Sequence, residues 1–388
     1  MRQHTSPLYS ALIIWLFICF FYTTEHLYAQ GIKRDSTYYL LTGSYTEGNN
    51  EGPGISVYHY HPDSGTLETV STLKVPNPSF LASSADGDFV YAVNELHEDK
   101  EGAVSAFRFD KEKGVLTHIN TKPSGGGDPC YVSLSRDGSL LFVANYSGGN
   151  LSVISVREDG SLGEVLQTVQ HSGSSVDKSR QEGPHVHGVY PHPGKNLLYV
   201  TDLGTDEVIT YPYFPGRKEP LATDQKMVYK TSPGSGPRHI LIRGNTAYLV
   251  KEMGGELEVL DVDEKGHLSH RENYKLYGES YNGKNQAAEV RISPDGKYVY
   301  VSNRSRADTI SSFSVNEDGT LTPVEIVASG GDTPRNFILS PNGTYLLAAH
   351  QDSHTIVVFT RNPETGTLSP TGETYRSGSP VHFIMIEE

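Results

Sequence analysis

The sequence predicts an all-β chain folded as a seven-bladed β-propeller, and three observations lead there. A unit recurs about every 50 residues with four short strand signals in each, the pattern of propeller blades. Asp-Gly and Asn-Gly dipeptides fall between alternating apolar runs, where a hairpin turn needs φ above zero. The far end of the chain, Pro380-Val381-His382-Phe383-Ile384-Met385-Ile386, reads as a strand that the first unit lacks.

The elements follow in chain order. Residues 1–29 read as a secretory signal peptide: Arg2 and His4 precede an apolar run from Ala11 to Tyr22, and Leu27-Tyr28-Ala29 offers a small residue before cleavage at Gln30. The run is too short for a membrane span, so the expectation is an exported protein, periplasmic or secreted, without stable membrane insertion. Cys19 leaves with that segment and Cys130 stays alone, which excludes an internal disulfide and a cysteine-based metal site. Residues 37–388 then form a single propeller domain. A net charge of −14 keeps that body soluble and argues against nucleic acid as a partner.

The first unit opens at Tyr38-Tyr39-Leu40-Leu41 and ends its strand on Ser44-Tyr45, with no Pro-led strand before it. Six complete units follow. They run from Pro78 to Asn94-Glu95, Pro129 to Asn145-Tyr146, Pro184 to Asp202-Leu203, Pro237 to Lys251-Glu252, Ala287 to Asn303-Arg304 and Pro334 to His350-Gln351. The C-terminal strand completes the N-terminal blade, which closes the ring and leaves no sheet edge free to pair with another chain. A closed ring has no obligatory need of a partner, so a monomer is expected. Pro212, Pro215 and Gly216 mark the fourth blade as irregular in its outer strands. The Asp-Gly turns lack the alternating carboxylates of a calcium loop. His192 and His354 read as surface residues.

In a propeller the entrance to a blade's first strand and the exit of its second open on the same face. The entrances hold Phe80, Tyr131, His185 with His187, Arg238 with His239, Glu289 with Arg291, Arg335 and His382; the exits hold Glu95, Tyr146, Asp202, Glu252, Arg304 and Gln351. The prolines serve chain direction, and Asn94, Asn145, Asp202 and Asn303 tie their own turns. Arg238, Arg304 and Arg335, by contrast, stand where the repeat asks only for a small or apolar residue. An acidic chain that gathers arginine and histidine at one rim suits a small anionic ligand. Histidine, glutamate and arginine together are also what ester or lactone chemistry needs: a base for water, a donor for the oxyanion, and cations to orient an acid.

Five segments carry a resemblance to a known family: Gly183-Pro184-His185-Val186-His187, Gly236-Pro237-Arg238-His239, Val250-Lys251-Glu252-Met253, Ser293-Pro294-Asp295-Gly296-Lys297 with Ser302-Asn303-Arg304, and Pro334-Arg335-Asn336-Phe337. They resemble the seven-bladed propeller lactonases, which include the propeller-type 6-phosphogluconolactonases and carboxy-muconate cycloisomerase, over nearly the whole mature chain. The resemblance implies hydrolysis of a sugar-acid lactone without metal or other cofactor. It implies a working cluster of His185 or His187, Arg238, Glu252 and Arg304, with substrate contacts from His239, Arg291, Arg335, Glu95 and Gln351. In that scheme Glu252 or a histidine activates water, Arg238 and His239 bind the oxyanion, and Arg304 and Arg335 hold a phosphate or carboxylate. The chain departs from the family pattern at Lys251, where Asn is usual, and at Arg291, where His is common; both add positive charge.

Phosphorylated gluconolactone is made and consumed in the cytoplasm, where an exported enzyme would rarely meet it: either that activity is carried by likeness only, or the substrate is another sugar-acid lactone outside the membrane, and lactone hydrolysis resembling that of 6-phosphogluconolactonase stays the expectation. Two further functions fit the same rim. A lactone-forming isomerase would use the same acid and base in a pocket that excludes water. A non-catalytic propeller would bind an anionic carbohydrate or a protein and turn nothing over.

Overall fold

A computed structural model describes residues 37–48, 50, 52–96, 101–278 and 281–388; the segment 1–29 lies outside the described residues. The strands assemble as seven four-stranded antiparallel sheets, the number given by counting the polar pairs. Pro380–Glu387 is the innermost strand of blade 1 and pairs with Tyr38–Ser44, Thr42 facing Phe383. Velcro-like closure by the C-terminal strand is therefore as the first unit's missing strand requires. The Asp-Gly turns adopt the expected conformation, with φ of 76° at Gly87 and 71° at Gly138.

The abundance of tyrosine has a structural cause. A tyrosine in or near one blade's second strand reaches a backbone carbonyl in the outer hairpin of the next: Tyr39 to Lys111 at 2.9 Å, Tyr91 to Gly160 at 3.1 Å, Tyr199 to Gly266 at 3.1 Å, Tyr248 to Gly319 at 3.0 Å and Tyr300 to Gly366 at 2.8 Å. Tyr345 closes the circle from blade 7 to Asp63 of blade 1 at 3.0 Å. Each ring fills the apolar space between two sheets while its hydroxyl satisfies a turn carbonyl. Blade 3 has Phe142 in this position, packed edge-on against Tyr213 with centroids 5.2 Å apart. That is the junction with irregular blade 4, whose outer strand shrinks to Met227–Lys230 behind the 3-10 turn Thr223–Gln225.

Two surface assignments are corrected. His192 is 8% exposed, and its Nδ1 accepts the Gly194 amide at 2.9 Å. His354 is half-buried at φ 58°, and its Nδ1 accepts the Ser379 amide at 3.0 Å. In each case the ring serves a tight turn instead of facing water.

Candidate active site

A β-bulge near the start of the innermost strands divides the mouth into two tiers. Pro129 pairs with Asn145 but Tyr131 with Ala144; Val186 pairs with Asp202 but Gly188 with Thr201. Pro237 pairs with Lys251 but His239 with Val250, and Pro334 with His350 but Asn336 with Ala349. The residues skipped are Cys130, His187, Arg238 and Arg335. A bulge re-aims the extra side chain, and Cys130, His187 and Arg335 line a cavity of about 510 Å³ at the mouth.

The exits supply the wall. Tyr45, Glu95, Tyr146, Glu252, Arg304 and Gln351, each the second member of a polar pair, line the same cavity. First members such as Asn94 and Asp202 turn into their own loops. Asn94 Nδ2 donates to Pro76 O at 2.9 Å, and Asp202 Oδ1 accepts the amides of His185, Gly204 and Thr205 at 2.8, 3.1 and 3.2 Å. Alternation along the second strand thus sends one residue of each pair to structure and the next to the cavity.

Glu252 is the electrostatic centre. Its Oε2 lies 2.9 Å from Arg304 Nη2 and 3.0 Å from Arg238 Nε, while Oε1 accepts Arg180 Nη2 at 2.7 Å. Burial alone would push this carboxyl up; Arg304, Arg238, His187 and Arg180 outweigh it and hold it well below the usual carboxylate range. Such a carboxylate is permanently charged and a weak base. Arg304 also donates through Nε to Gln286 O at 3.0 Å, and Arg238 through Nη1 to Ala288 O at 2.7 Å. Both guanidinia are committed to protein acceptors. Arg335 differs: it lies over the Tyr45 ring at 5.3 Å and has no hydrogen bond or ion pair among the described residues.

His187 is 5% exposed, lines the cavity, and neither ring nitrogen has a hydrogen-bond partner among the described residues. Burial first, then Arg238 and His239, hold its pKa well below 6.5, so the ring is neutral at physiological pH. Burial likewise pushes the Cys130 thiol far up, which leaves it protonated and a poor nucleophile. Glu95, also on the cavity wall, accepts Tyr45 Oη at 2.9 Å and the hydroxyl of Ser79.

The structure separates residues that the sequence places at one rim. His185 does not line the cavity; its ring stacks on Tyr146 at 4.4 Å, and its nitrogens face Tyr146 O at 3.2 Å and Glu182 Oε1 at 3.0 Å. Arg238 sits behind Glu252, 3% exposed. His239 belongs to the lower tier with Phe80, Tyr131, Glu289 and His382. Arginine can only donate, so His239 Nε2 accepts Arg238 Nη1 at 3.0 Å and Nδ1–H faces Glu289 Oε2 at 3.4 Å. Arg291 stands two residues further along its strand, 3.4 Å from Glu289 Oε1, away from the mouth cavity. Lys251 adds no charge to the mouth. It points into blade 5, where Nζ meets Glu256 Oε2 at 2.8 Å, Glu258 Oε2 at 3.5 Å and Asn273 Oδ1 at 2.6 Å. The strand's alternation sends it there because its neighbour Glu252 faces the cavity.

Arg180 is a wall residue that repeat reasoning misses, as are Asn50, Asp128, Ser147 and Gln286. It comes from the connection 171–185 between blades 3 and 4 and donates to Tyr146 Oη at 3.3 Å as well as to Glu252. A turn positions it: Asp177 Oδ1 accepts the amides of Ser179 and Arg180 at 2.9 and 3.2 Å, and Gln181 Nε2 donates to Leu203 O at 2.9 Å. The connection passes so close to blade 4 that a Cβ on Gly204 would fall 1.9 Å from Gly183 O. Its one sequence signal is length, since it is the longest link between blades.

Comparison with known proteins agrees with this architecture. The family described as Lactonase, 7-bladed beta-propeller matches residues 39–385. A 6-phosphogluconolactonase of Formosa agariphila is 31% identical over 85% of this chain and 94% of its own length. A 6-phosphogluconolactonase of Bacillus subtilis is 30% identical over 89% of this chain and 97% of its own. The structure of a periplasmic gluconolactonase from Pseudomonas aeruginosa superposes with a TM-score of 0.86 at 36% identity, covering 90% of this chain and 99% of that one. With its ring closed by the C-terminal strand and its mouth built from bulge and exit residues, this chain belongs to the seven-bladed β-propeller lactonase family.

Proposed function

We propose that the protein hydrolyses a sugar-acid lactone in the mouth cavity, with His187 as the general base. The observation that carries this reading is the His187 ring: buried, neutral, against the cavity and without a hydrogen-bond partner among the described residues. A water oxygen attacks the lactone carbonyl carbon and its proton passes to His187. The tetrahedral oxyanion is met by Arg335, whose donors are unspent, and the adjacent imidazolium is favoured by the Glu252 carboxylate. Collapse breaks the bond between that carbon and the ring oxygen; His187 returns the proton to the departing alkoxide, leaving a hydroxy acid.

Glu252 holds Arg304, Arg238 and Arg180 in place and keeps the site charged, a role that suits a carboxylate engaged by three guanidinia better than proton abstraction does. No metal or cofactor enters this scheme. Names of relatives divide between phosphorylated and free gluconolactone. The signal-like segment 1–29 and the likeness to a periplasmic enzyme support an exported protein acting on a non-phosphorylated aldonolactone.

Proton release in a pH-stat tests this reading. Glucono-1,5-lactone and its 6-phosphate are compared with wild type, His187→Asn and Arg335→Ala. Turnover that falls about a hundredfold in His187→Asn is expected. Turnover unaffected by either substitution in folded protein would overturn the assignment.

A further inference from the structure

A second cavity of about 490 Å³ adjoins the first over the junction of blades 6 and 7. The two share Gln286, Arg304, Arg335 and Gln351, so they meet at these side chains. The outer lining comes from three turns: Arg306 and Asp308 after Tyr298–Asn303, Asp332 and Thr333 before Pro334–Leu339, and Asp352 after Tyr345–His350. We propose that this cavity is a subsite for a neutral, hydroxyl-rich substituent on the lactone, so that the preferred substrate is a glycosyl aldonolactone. The proposal rests on the lactonase reading above.

Polarity comes first. None of these outer residues is apolar, so an apolar substituent would gain little there by leaving water. The Arg306 guanidinium and the Asp332 carboxylate each lack a hydrogen bond or ion pair among the described residues, although they line one cavity. Unspent donors and acceptors facing one space are what a sugar ring, with hydroxyls that do both, can satisfy.

Charge then decides between a sugar and an anionic tail. Beyond the shared residues the lining holds three carboxylates, Asp308, Asp332 and Asp352, against Arg306 alone. Burial pushes the Asp308 carboxyl up, and Asp332 and Asp352 add to it. The whole lining balances these three carboxylates against Arg304, Arg306 and Arg335, and Arg304 is already spent on Glu252, so a phosphate would find no net attraction there while a neutral substituent needs none. The turns are fixed in place: Thr333 donates its amide to Asp308 Oδ1 at 2.9 Å and its hydroxyl to Asp352 Oδ2 at 2.5 Å. Arg335 and Gln351 line both cavities. The Gln351 Oε1 is buried without a partner there, an acceptor for a hydroxyl at the linkage.

The test compares cellobiono-1,5-lactone and maltobiono-1,5-lactone with glucono-1,5-lactone on the mature protein, wild type and Arg306→Ala/Asp332→Ala. A kcat/KM at least tenfold higher for one glycosyl lactone, with that ratio falling toward one in the double variant, is expected. A ratio of one or less for both glycosyl lactones would overturn the subsite, as would a high ratio that the double variant leaves intact. Failure of the lactonase reading looks different, since no lactone would then be turned over. Calorimetric binding of cellobionate, maltobionate and gluconate reads the subsite independently, and equal affinities for the three would sink it.

Discussion

Arg180 donates to Glu252 across 2.7 Å, tying a residue from outside the repeat to one that the repeat positions. The Arg180 side chain is 35% exposed, while Arg238 and Arg304, the other two arginines on Glu252, are 3% and 7% exposed. The first of the three can therefore be removed without opening the core. Arg180→Gln is expected to lower kcat/KM about tenfold, roughly 1.4 kcal/mol. A rate identical to wild type would show that Arg180 is only a surface contact.

His187 and His185 lie two residues apart and predict opposite outcomes. His187 faces the cavity with no hydrogen-bond partner among the described residues, whereas His185 stacks against Tyr146 with its ring nitrogens held against Tyr146 O and Glu182 Oε1. His187→Asn should reduce kcat by ~10²–10⁴, the range for a lost general base. His185→Asn should cost less than about tenfold, through a loosened Tyr146. Equal losses in the two variants, measured by initial rates on the preferred lactone, would contradict the division of roles.

Much of this arrangement is legible from residues alone, for a physical reason. The Pro-led strand, the Asp-Gly turn and the polar pair recur, so exceptions such as Arg304 and Glu252 stand out against their equivalents. What the repeat does not display is the bulge, because one unpaired residue leaves no trace in composition. Without it, Arg238 and His239 read as neighbours at one rim, although the slip between Pro237 and His239 sends them to different tiers. Lys251 is a similar case: strand alternation carries it into blade 5, but its charge suggests the mouth. Arg180 lies in a connection with no counterpart in other blades, and no comparison of repeats could single it out.

Lys251 is buried among Glu256, Glu258 and Asn273, and Glu258 also accepts Tyr229 Oη at 2.6 Å and faces His270 Nδ1 at 2.7 Å. Removing the ammonium leaves Glu258, 4% exposed, short of its counter-charge. Lys251→Ala should therefore destabilise the fold by about 3 kcal/mol, within the range for breaking a buried pair. Urea unfolding measures the loss, and KM should change little by comparison. Unchanged stability with a raised KM would mean that Lys251 serves the cavity after all.

Acid should unfold this propeller earlier than its lack of disulfides alone implies. His187, His239 and His382 are held well below 6.5 by burial first, with Arg238 acting on the first two and Arg291 on the third. Burial lowers His350 to about 4. Below pH 6.5 the unfolded chain takes up protons that these rings refuse, so stability falls as pH drops. For His350 the loss accumulates between pH 6.5 and about 4, approaching about 3 kcal/mol. Glu252 acts in the same direction at lower pH: its contribution is complete above about 4.5 and is lost as the pH falls below that. Thermal melts should show Tm falling by roughly 10 °C or more between pH 7.5 and 4.5, and His350→Asn should flatten that slope. A Tm independent of pH across this range would show that the buried rings take up protons in the folded protein.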